Sequence, residues 1–503
     1  MNNFEESRRR FLKTAGLATG ALLLSSKNSL AHPEATSESS ASDMAQADSG
    51  AADYILHIKN SPIEIAPKRI VSATTYNGQF PGPLLRFKEG QQVTIDVYND
   101  TDTPEQLHWH GQQVPVDVDG AAEEGTPFIP AHGKRRMVFT PKPAGLRFYH
   151  THNRAGANLA AGQYSGQVGP VYIEPRQEPG KYDREVFLTL KEFEPTFSRG
   201  GDMAMDFLAP ATRVKALEEI GEPATRASLA KATPPGFEVG YSLFSINGHM
   251  LGHGDPIRVN AGERVLFHIV NGSATEIRSL ALPKHNFEVV ALDGNPVPTP
   301  TQVSGLWLGP AERISAVVEM NHPGVWVMAD VADDDRIRGM GIVIEYAGKT
   351  GKPKWIKPAP FKWDYTRFGR SSPIKQTPDE TIEMTFTENR AANRGFNEWR
   401  INDVAFSMEK MEPMFHLRQG KRYRLRMRNA SDDIHPVHLH RHSFELIRIA
   451  GKSTAGILKD VVMLGGYQEV EVDFMADNPG LTLFHCHQQL HMDFGFMALF
   501  DYA

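Results

Sequence analysis

The chain has 503 residues, and its 54 lysine and arginine residues against 60 aspartate and glutamate residues leave a formal net charge of −6. This acidic balance argues against a nucleic-acid partner, which would need a basic face. The single cysteine excludes an intramolecular disulfide, so the core has to come from burial of apolar side chains. Length alone suggests roughly three domains.

The first residues have the pattern of an export signal. The stretch "SRRRFLK" at 7–13 fits a twin-arginine motif ahead of an apolar run, and small residues at 29–31 offer a cleavage position. Residues 1–31 are therefore predicted to be a twin-arginine signal peptide, and the twin-arginine export machinery would deliver the folded protein to the periplasm or outside the cell. The run is shorter than the ~20 residues of a membrane span. Stable membrane insertion is not expected, and an uncleaved N-terminal anchor is the alternative.

Residues 32–53 are rich in serine, alanine and acidic residues and are predicted to be a flexible leader. After this leader, one sequence repeat occurs three times, at 90–99, 262–271 and 420–429. Each copy starts with glycine, ends with asparagine and alternates apolar and polar residues between them. Alternation with period two predicts a half-buried strand after a glycine turn.

Short strands at regular spacing, separated by glycine, proline and asparagine turns, are typical of β-sandwiches. We therefore predict an all-β protein with three β-sandwich domains at 54–178, 179–347 and 381–503, and with 348–380 as a linker. The exception is residues 209–232, which are predicted to form a short helical insertion in the second domain. No role is assigned to the wider insertion at 195–243.

Histidine pairs follow the repeated strands in the first and third copies only. The second copy has Leu280, Leu282, Ala329 and Val331 at the matching places. Because side chains two apart on a strand share one face at ~6.6 Å, a pair suits two neighbouring metal ions better than one ion with ~2 Å bonds. Eight converging imidazoles therefore predict a metal cluster. The pairs are His108 and His110, His150 and His152, His438 and His440, and His485 and His487.

The cysteine lies between the members of the last pair. On a strand, Cys486 should point away from the cluster face, as should His435, which comes three residues before His438. Together with His491 these residues make a two-histidine, one-cysteine set, the ligand type of a blue electron-transfer copper. A single His-x-His pair is more often a surface or packing feature, but four matched pairs beside the only cysteine argue against that explanation. A zinc site is disfavoured because structural zinc usually takes more cysteine.

The motifs "HWHG" (108–111), "HTH" (150–152), "HPVHLH" (435–440) and "HCHQQLH" (485–491) together resemble those of the three-domain multicopper oxidases. That family includes laccases, bilirubin oxidases and bacterial cuprous oxidases, and the resemblance runs from about Tyr54 to the end of the chain. It implies cupredoxin-like Greek-key domains and four copper ions. It also implies that four one-electron oxidations of a small-molecule donor are coupled to the reduction of dioxygen to water.

The resemblance also implies a role for each matched residue. Asp119 matches an acidic residue that aids proton delivery, with a simple turn carboxylate as the alternative. Together with Asp119, the catalytic residues would be Cys486 and its neighbours His485 and His487. The type 1 ligands would be His435, Cys486 and His491, and the type 2 ligands His108 and His438. The two type 3 coppers would take His110, His150 and His487, and His152, His440 and His485.

Two positions depart from the pattern of bacterial relatives. Phe496 occupies the place of a frequent axial methionine and cannot coordinate copper, so a relatively high type 1 potential is expected. A different register would instead let Met497 bind. Met492 occupies the place of a glutamate that is associated with proton movement in several relatives, and that route is not expected here.

The donor is less well determined by the sequence. We favour a laccase-like oxidase of phenols or aromatic amines, acting as a monomer. A periplasmic cuprous oxidase in copper tolerance is the first alternative, because methionines favour Cu(I). However, "NASDDI" before His435 lacks the methionines of cuprous oxidases. A non-catalytic structural cupredoxin protein is the second alternative. The candidate Cu(I) ligands are Met203, Met205, Met408, Met411 and Met414.

Overall fold

The structure, a computed structural model, describes residues 50–176, 181–198, 236–370 and 377–502. The predicted signal peptide, nearly all of the predicted leader and the predicted helical insertion at 209–232 lie outside these residues. The described chain from residue 52 onward forms one compact unit, and nearly all of its regular secondary structure is strand, arranged in six sheets. No helix among the described residues has both the length and the apolar character needed to cross a membrane.

The first sandwich consists of two four-stranded sheets that enclose a common apolar core. Trp109, Tyr149, Ile95 and Phe139 come from different strands of the two sheets and are all buried in this core. The strands are β1 (Tyr54–Ala66), β2 (Arg69–Tyr76), β3 (Leu85–Lys88), β4 (Val93–Asn99), β5 (His108–His110), β6 (Lys134–Phe139), β7 (Gly145–His150) and β8 (Val168–Glu174). Their orders are β2-β1-β4-β6 and β3-β8-β7-β5.

The second sandwich has sheets of six and five strands and a single turn of helix, α1 (Asp333–Ile337). Its strands are β9 (Arg184–Ser198), β10 (Glu238–Ile246), β11 (Ile257–Val259), β12 (Arg264–Asn271), β13 (Arg278–Ala281), β14 (Phe287–Leu292), β15 (Asn295–Val303), β16 (Leu306–Leu308), β17 (Arg313–Glu319), β18 (Val325–Asp330) and β19 (Gly341–Tyr346). The orders are β10-β9-β12-β17-β14-β15 and β11-β19-β18-β13-β16.

The third sandwich repeats this plan and has a short helix, α2 (Gln489–Asp493), just before its last strand. Its strands are β20 (Glu380–Asn393), β21 (Phe396–Ile401), β22 (Phe415–Leu417), β23 (Arg422–Asn429), β24 (His435–Leu439), β25 (Phe444–Ile449), β26 (Lys452–Lys459), β27 (Val461–Leu464), β28 (Glu469–Met475), β29 (Thr482–Cys486) and β30 (Met497–Tyr502). The orders are β21-β20-β23-β28-β25-β26 and β22-β30-β29-β24-β27.

The repeated unit of the sequence corresponds to β4, β12 and β23, each of which pairs in parallel with the first strand of its sandwich. The asparagine at the end of each strand makes the same kind of bonds. The side-chain oxygen of Asn99, Asn271 or Asn429 accepts from the backbone N–H two residues on, and its amide donates to a backbone carbonyl four or five residues on, in the loop that follows the strand. In the first and third sandwiches, these loops lead directly to the histidine-bearing strands.

The predicted linker at 348–380 contains a turn of 3-10 helix, Tyr365–Phe368, that lies against both the second and the third sandwich. Trp363, Tyr365 and Phe368 are all buried there. This segment therefore adds apolar contact between two sandwiches, while the exact boundaries of the three domains stay a prediction.

Candidate metal centre

The histidine pairs lie at the ends of adjacent strands in two sandwiches. In the first sandwich, β5 pairs with β7 so that His108 lies opposite His150. In the third sandwich, β24 pairs with β29 so that His438 lies opposite His485. All eight histidines of the pairs, here called the histidine cluster, are at most 1% exposed.

The histidine cluster brings the two sandwiches together. His150 Nε2 is 3.4 Å from His110 Nδ1 and 3.3 Å from His487 Nε2, so that two residues of the first sandwich meet one of the third. On the other side, the ligand atoms of His152, His440 and His485 lie within 4.8 Å of one another. These are the two predicted type 3 triads, and each combines residues from both sandwiches.

Two further histidines present an unpaired nitrogen. His108 Nδ1 bonds to the carbonyl oxygen of Asp119 at 2.9 Å, and His438 Nδ1 to that of Asp460 at 2.7 Å. Their Nε2 atoms are buried and have no hydrogen-bond partner among the described residues. A hydrogen bond at one ring nitrogen leaves the lone pair on the other, as metal-binding histidines require.

The protonation state and the spacing of the imidazoles in the histidine cluster both suit bound metal ions. Burial lowers the pKa of His110, His150, His438 and His440 well below the usual value, and the pKa values of His485 and His487 shift in the same way. Neutral imidazoles with converging lone pairs repel one another unless a cation lies between them. Two nitrogens bound to one ion at ~2 Å in tetrahedral geometry would be ~3.3 Å apart, close to the 3.0–3.4 Å separations within the triads.

The cysteine site consists of His435, Cys486 and His491. Cys486 Sγ is 3.7 Å from His435 Nδ1 and 3.5 Å from His491 Nδ1, and the two nitrogens are 3.0 Å apart. Burial raises the pKa of the thiol well above its usual range and lowers the pKa of His435 to about 3. The site therefore presents two neutral imidazoles and a thiol that needs a bound cation to ionise, which fits a soft metal ion.

Aromatic rings enclose the cysteine site. The Phe496 ring lies 4.7 Å from that of His435, and the Trp399 ring stacks on His491 at 4.0 Å. Met497 lies opposite His485 on the paired strand and packs with Leu483, away from the apolar cluster that contains Cys486 and Phe496. Trp399 is not recognisable as part of this site from the sequence, because nothing in the local pattern of β21 links it to a residue of α2.

Buried carboxylates surround the histidine cluster. Asp119 is fully buried, with Oδ2 at 2.8 Å from His440 Nδ1 and 3.2 Å from His108 Nδ1. Although burial opposes its ionisation, a hydrogen bond with His108 and the charge of Arg441 hold the pKa of Asp119 below its usual value. Glu123 lies 3.5 Å from His152 Nδ1, and Asp460 lies 3.1 Å from His110 Nε2. Of these carboxylates, only Asp119 is identifiable from the sequence, because it alone belongs to a recognisable motif.

Comparison with known proteins agrees with this geometry. Residues 57–178, 222–344 and 375–503 each match a family described as multicopper oxidase. The chain is 28% identical to multicopper oxidase MmcO of Mycobacterium tuberculosis, over 99% of this chain and 96% of the relative. It is 23% identical to laccase-2 of Fomitopsis schrenkii, over 84% of each.

Solved structures show the same fold. A multicopper oxidase from Pseudomonas thermotolerans has a TM-score of 0.66 at 24% identity, covering 90% of this chain and 100% of that one. The laccase from Botrytis aclada has a TM-score of 0.69 at 18% identity, covering 89% and 87%.

The chain therefore belongs to the multicopper oxidase family. It is an oxidoreductase that uses copper, takes electrons from a substrate and passes them to dioxygen. The predicted all-β, cupredoxin-like fold is confirmed by the six sheets and by these structural neighbours.

Proposed function

We propose that the protein is a laccase-like oxidase with four copper ions, one in the cysteine site and three in the histidine cluster. The main support for this proposal is that the side chains of the tripeptide 485–487 face two different metal sites. Cys486 faces His435 and His491, while its neighbours His485 and His487 face the two type 3 triads. Copper bound at these positions would supply one-electron redox chemistry, and the tripeptide joins the two centres covalently.

The residues around the centres have separate tasks in this proposal. Type 2 copper would be held by His108 and His438, whose Nε2 atoms are unpaired among the described residues. The Asp119 carboxylate accepts from His440 and keeps a negative charge beside the histidine cluster, where it would attract protons from water and relay them as dioxygen is reduced. Trp399 and Phe496 cover the cysteine site and exclude water from it.

A cavity near the cysteine site supports an aromatic donor. Its volume is about 340 Å³, and its walls include Tyr241, Phe244 and Trp307 beside the carboxylates of the second sandwich. Gln488, which directly follows His487, also lines it and donates to the carbonyl of Ile434 at 2.8 Å, next to His435. The aromatic walls suit the ring of a phenol or an aromatic amine, and the polar and charged groups that make up most of the lining suit its hydroxyl or amino group.

Cuprous ion is the second candidate donor, because two of the predicted methionine ligands do not pack. Met408 is 36% exposed and Met411 45%, whereas Met414 packs on the apolar core. Met203 and Met205 lie outside the described residues. Exposed thioethers are suitable first ligands for Cu(I). Convergence of the predicted histidine and cysteine ligands disfavours the third candidate, a structural protein without copper.

Oxygen uptake tests these proposals. We expect the copper-loaded protein to be blue, to contain four copper ions and to consume dioxygen with a phenolic donor when no copper is added. The Cys486→Ser variant is the control for free copper, because it lacks the thiolate of the donor-side site. Uptake with Cu(I) alone, abolished in a Met408→Leu, Met411→Leu double variant, would instead support the cuprous oxidase. A protein that binds no copper would contradict both.

Export is a separate part of the proposal. We propose that residues 1–31 direct the folded protein through the twin-arginine pathway to the periplasm or the exterior, since the paired arginines Arg8 and Arg9 precede a short apolar run. Replacing both with lysine should leave the protein in the cytoplasm, as measured by cell fractionation. Unchanged export of that variant would argue for another route.

A further inference from the structure

We infer that Asp460 is a positioning residue for the histidine cluster, and that the second sandwich holds it in place through Arg313 and Asp293. The inference rests on the proposed function, because it takes His110 and His438 as copper ligands. It would explain how the sandwich without histidine pairs contributes to the metal centre.

Asp460 lies between β26 and β27 of the third sandwich and contacts two histidines with different oxygens. Its side-chain Oδ1 is 3.1 Å from His110 Nε2, and its backbone oxygen is 2.7 Å from His438 Nδ1. Donation from these nitrogens leaves Nδ1 of His110 and Nε2 of His438 free for metal. Hydrogen bonds of this kind fix the tautomer and the orientation of metal-binding imidazoles. One residue thus orients a histidine from each of two sandwiches.

The Asp460 carboxylate is bound by one arginine from each of the other two sandwiches. Arg313 at the start of β17 donates from Nη1 to Oδ1 and from Nη2 to Oδ2, each at 2.6 Å. Arg147 of β7 approaches Oδ2 at 3.4 Å. All three side chains are 0% exposed. A two-point arginine contact fixes the plane of a carboxylate as well as its position.

The backbone of Asp460 is held as firmly as its side chain. Asp293, between β14 and β15, accepts through Oδ2 from the N–H groups of Asp460 and Val461 at 3.3 and 3.1 Å. The ammonium of Lys459 lies 2.9 Å from the same oxygen. The other oxygen of Asp293 accepts from the Arg313 N–H at 3.0 Å. Asp293 therefore positions both the arginine and the peptide whose carbonyl faces His438.

Gly111, the glycine of "HWHG", shows how closely the Arg313–Asp460 ion pair approaches the end of β5. A Cβ on Gly111 would lie 2.5 Å from Arg313 Nη2 and 2.6 Å from Asp460 Oδ2. Only a residue without a side chain leaves room for the pair directly after His110.

Copper retention tests the inference. Arg313→Met removes both hydrogen bonds to Asp460 and keeps the length of the side chain. Arg424→Met is the matched control, since Arg424 makes a two-point contact with Asp473 at 2.7 and 3.1 Å within the third sandwich. We expect Arg313→Met to hold type 2 and type 3 copper about 10-fold to 100-fold more weakly against a chelator. Its blue absorption should be retained, and Arg424→Met should behave like the unmodified protein.

Electron paramagnetic resonance of type 2 copper supplies a readout that does not depend on activity, and we expect its signal to change in Arg313→Met. Arg313→Lys keeps the charge but cannot bind both oxygens, and it covers the case in which Arg313→Met does not fold. Equal retention and identical spectra in the Arg313 and Arg424 variants would overturn the inference. An unmodified protein that gives no type 2 signal and holds no copper in the histidine cluster would overturn the proposed function instead.

Discussion

At the scale of single residues, the histidines of the first and third sandwiches make the same pattern of hydrogen bonds. His150 and His485 each direct Nδ1 to the carbonyl of the next residue, at 2.7 and 2.8 Å. His108 and His438 each direct Nδ1 to a carbonyl farther along the chain, that of Asp119 or Asp460. Matching positions of the repeat thus keep matching bonds, and the inward nitrogens are left for metal.

Phe496 gives a prediction at this scale. Because its ring packs on His435 and offers no ligand atom, Phe496→Met should add an axial thioether and lower the type 1 reduction potential, with a stability cost of about 1 kcal/mol. A redox titration of the blue absorption measures the potential. Phe500→Met, another fully buried ring on the adjoining strand, is the control and should leave the potential unchanged. An unchanged potential in the Phe496 variant would mean that this position does not govern the site.

At the scale of elements, the loop after β5 carries Asp119 to the histidine cluster. The Asp119 carbonyl accepts from the Trp109 N–H at 3.2 Å as well as from His108, which pins the loop to the strand. Gly120 follows with a φ of +96°, and a Cβ there would lie 1.9 Å from the Leu107 carbonyl oxygen. The loop can approach β5 this closely only because position 120 has no side chain.

The neighbouring glycines allow a matched test of this loop. At Gly125, φ is +89° and a Cβ would have no described atom within 4 Å. Gly125→Ala should therefore cost only the left-handed strain of about 1–2 kcal/mol. Gly120→Ala adds a backbone clash and should lower the free energy of unfolding by more, on the order of 3 kcal/mol. Denaturant unfolding measures both, and equal losses would contradict the role of close approach.

At the scale of the whole molecule, a buried ion network spans all three sandwiches. Beyond the contacts of Asp460, Lys459 lies 2.9 Å from both Asp293 and Glu312, and Tyr365 bonds to Glu312. Buried ions of this kind are costly to separate, since removing one partner leaves an uncompensated charge. The network therefore joins the second sandwich to the first and third, which the proposed copper ions also hold together.

Copper should accordingly stabilise the whole molecule. Because the type 3 triads combine ligands from two sandwiches, copper binds the folded state, and each tenfold excess of free copper over its dissociation constant adds about 1.4 kcal/mol. Calorimetry should show a higher Tm for the copper-loaded protein than for the chelator-treated protein. His440→Ala should reduce this difference, whereas exposed His416→Ala should not. Equal Tm values with and without copper would contradict a bridging role.

Much of the fold and of the candidate site was predictable because it depends on local geometry. Strand alternation places the two histidines of a pair on one face and Cys486 on the other, and the structure has Cys486 directed to His435 and His491, away from the triads. The three copies of the repeat likewise predicted three sandwiches, since the alternation of apolar and polar residues in a strand is visible within a few residues.

Contacts between sandwiches were decided only by the tertiary structure. Arg313 and Asp460 are 147 positions apart, and His440 and Asp119 are 321 apart. Trp399 covers His491 because β21 lies beside α2. Such partners depend on how whole sandwiches pack. No pattern within a single strand can predict a contact between residues so far apart in the sequence. Local sequence patterns therefore show which residues can bind metal, whereas the packing of the three sandwiches sets which groups orient them.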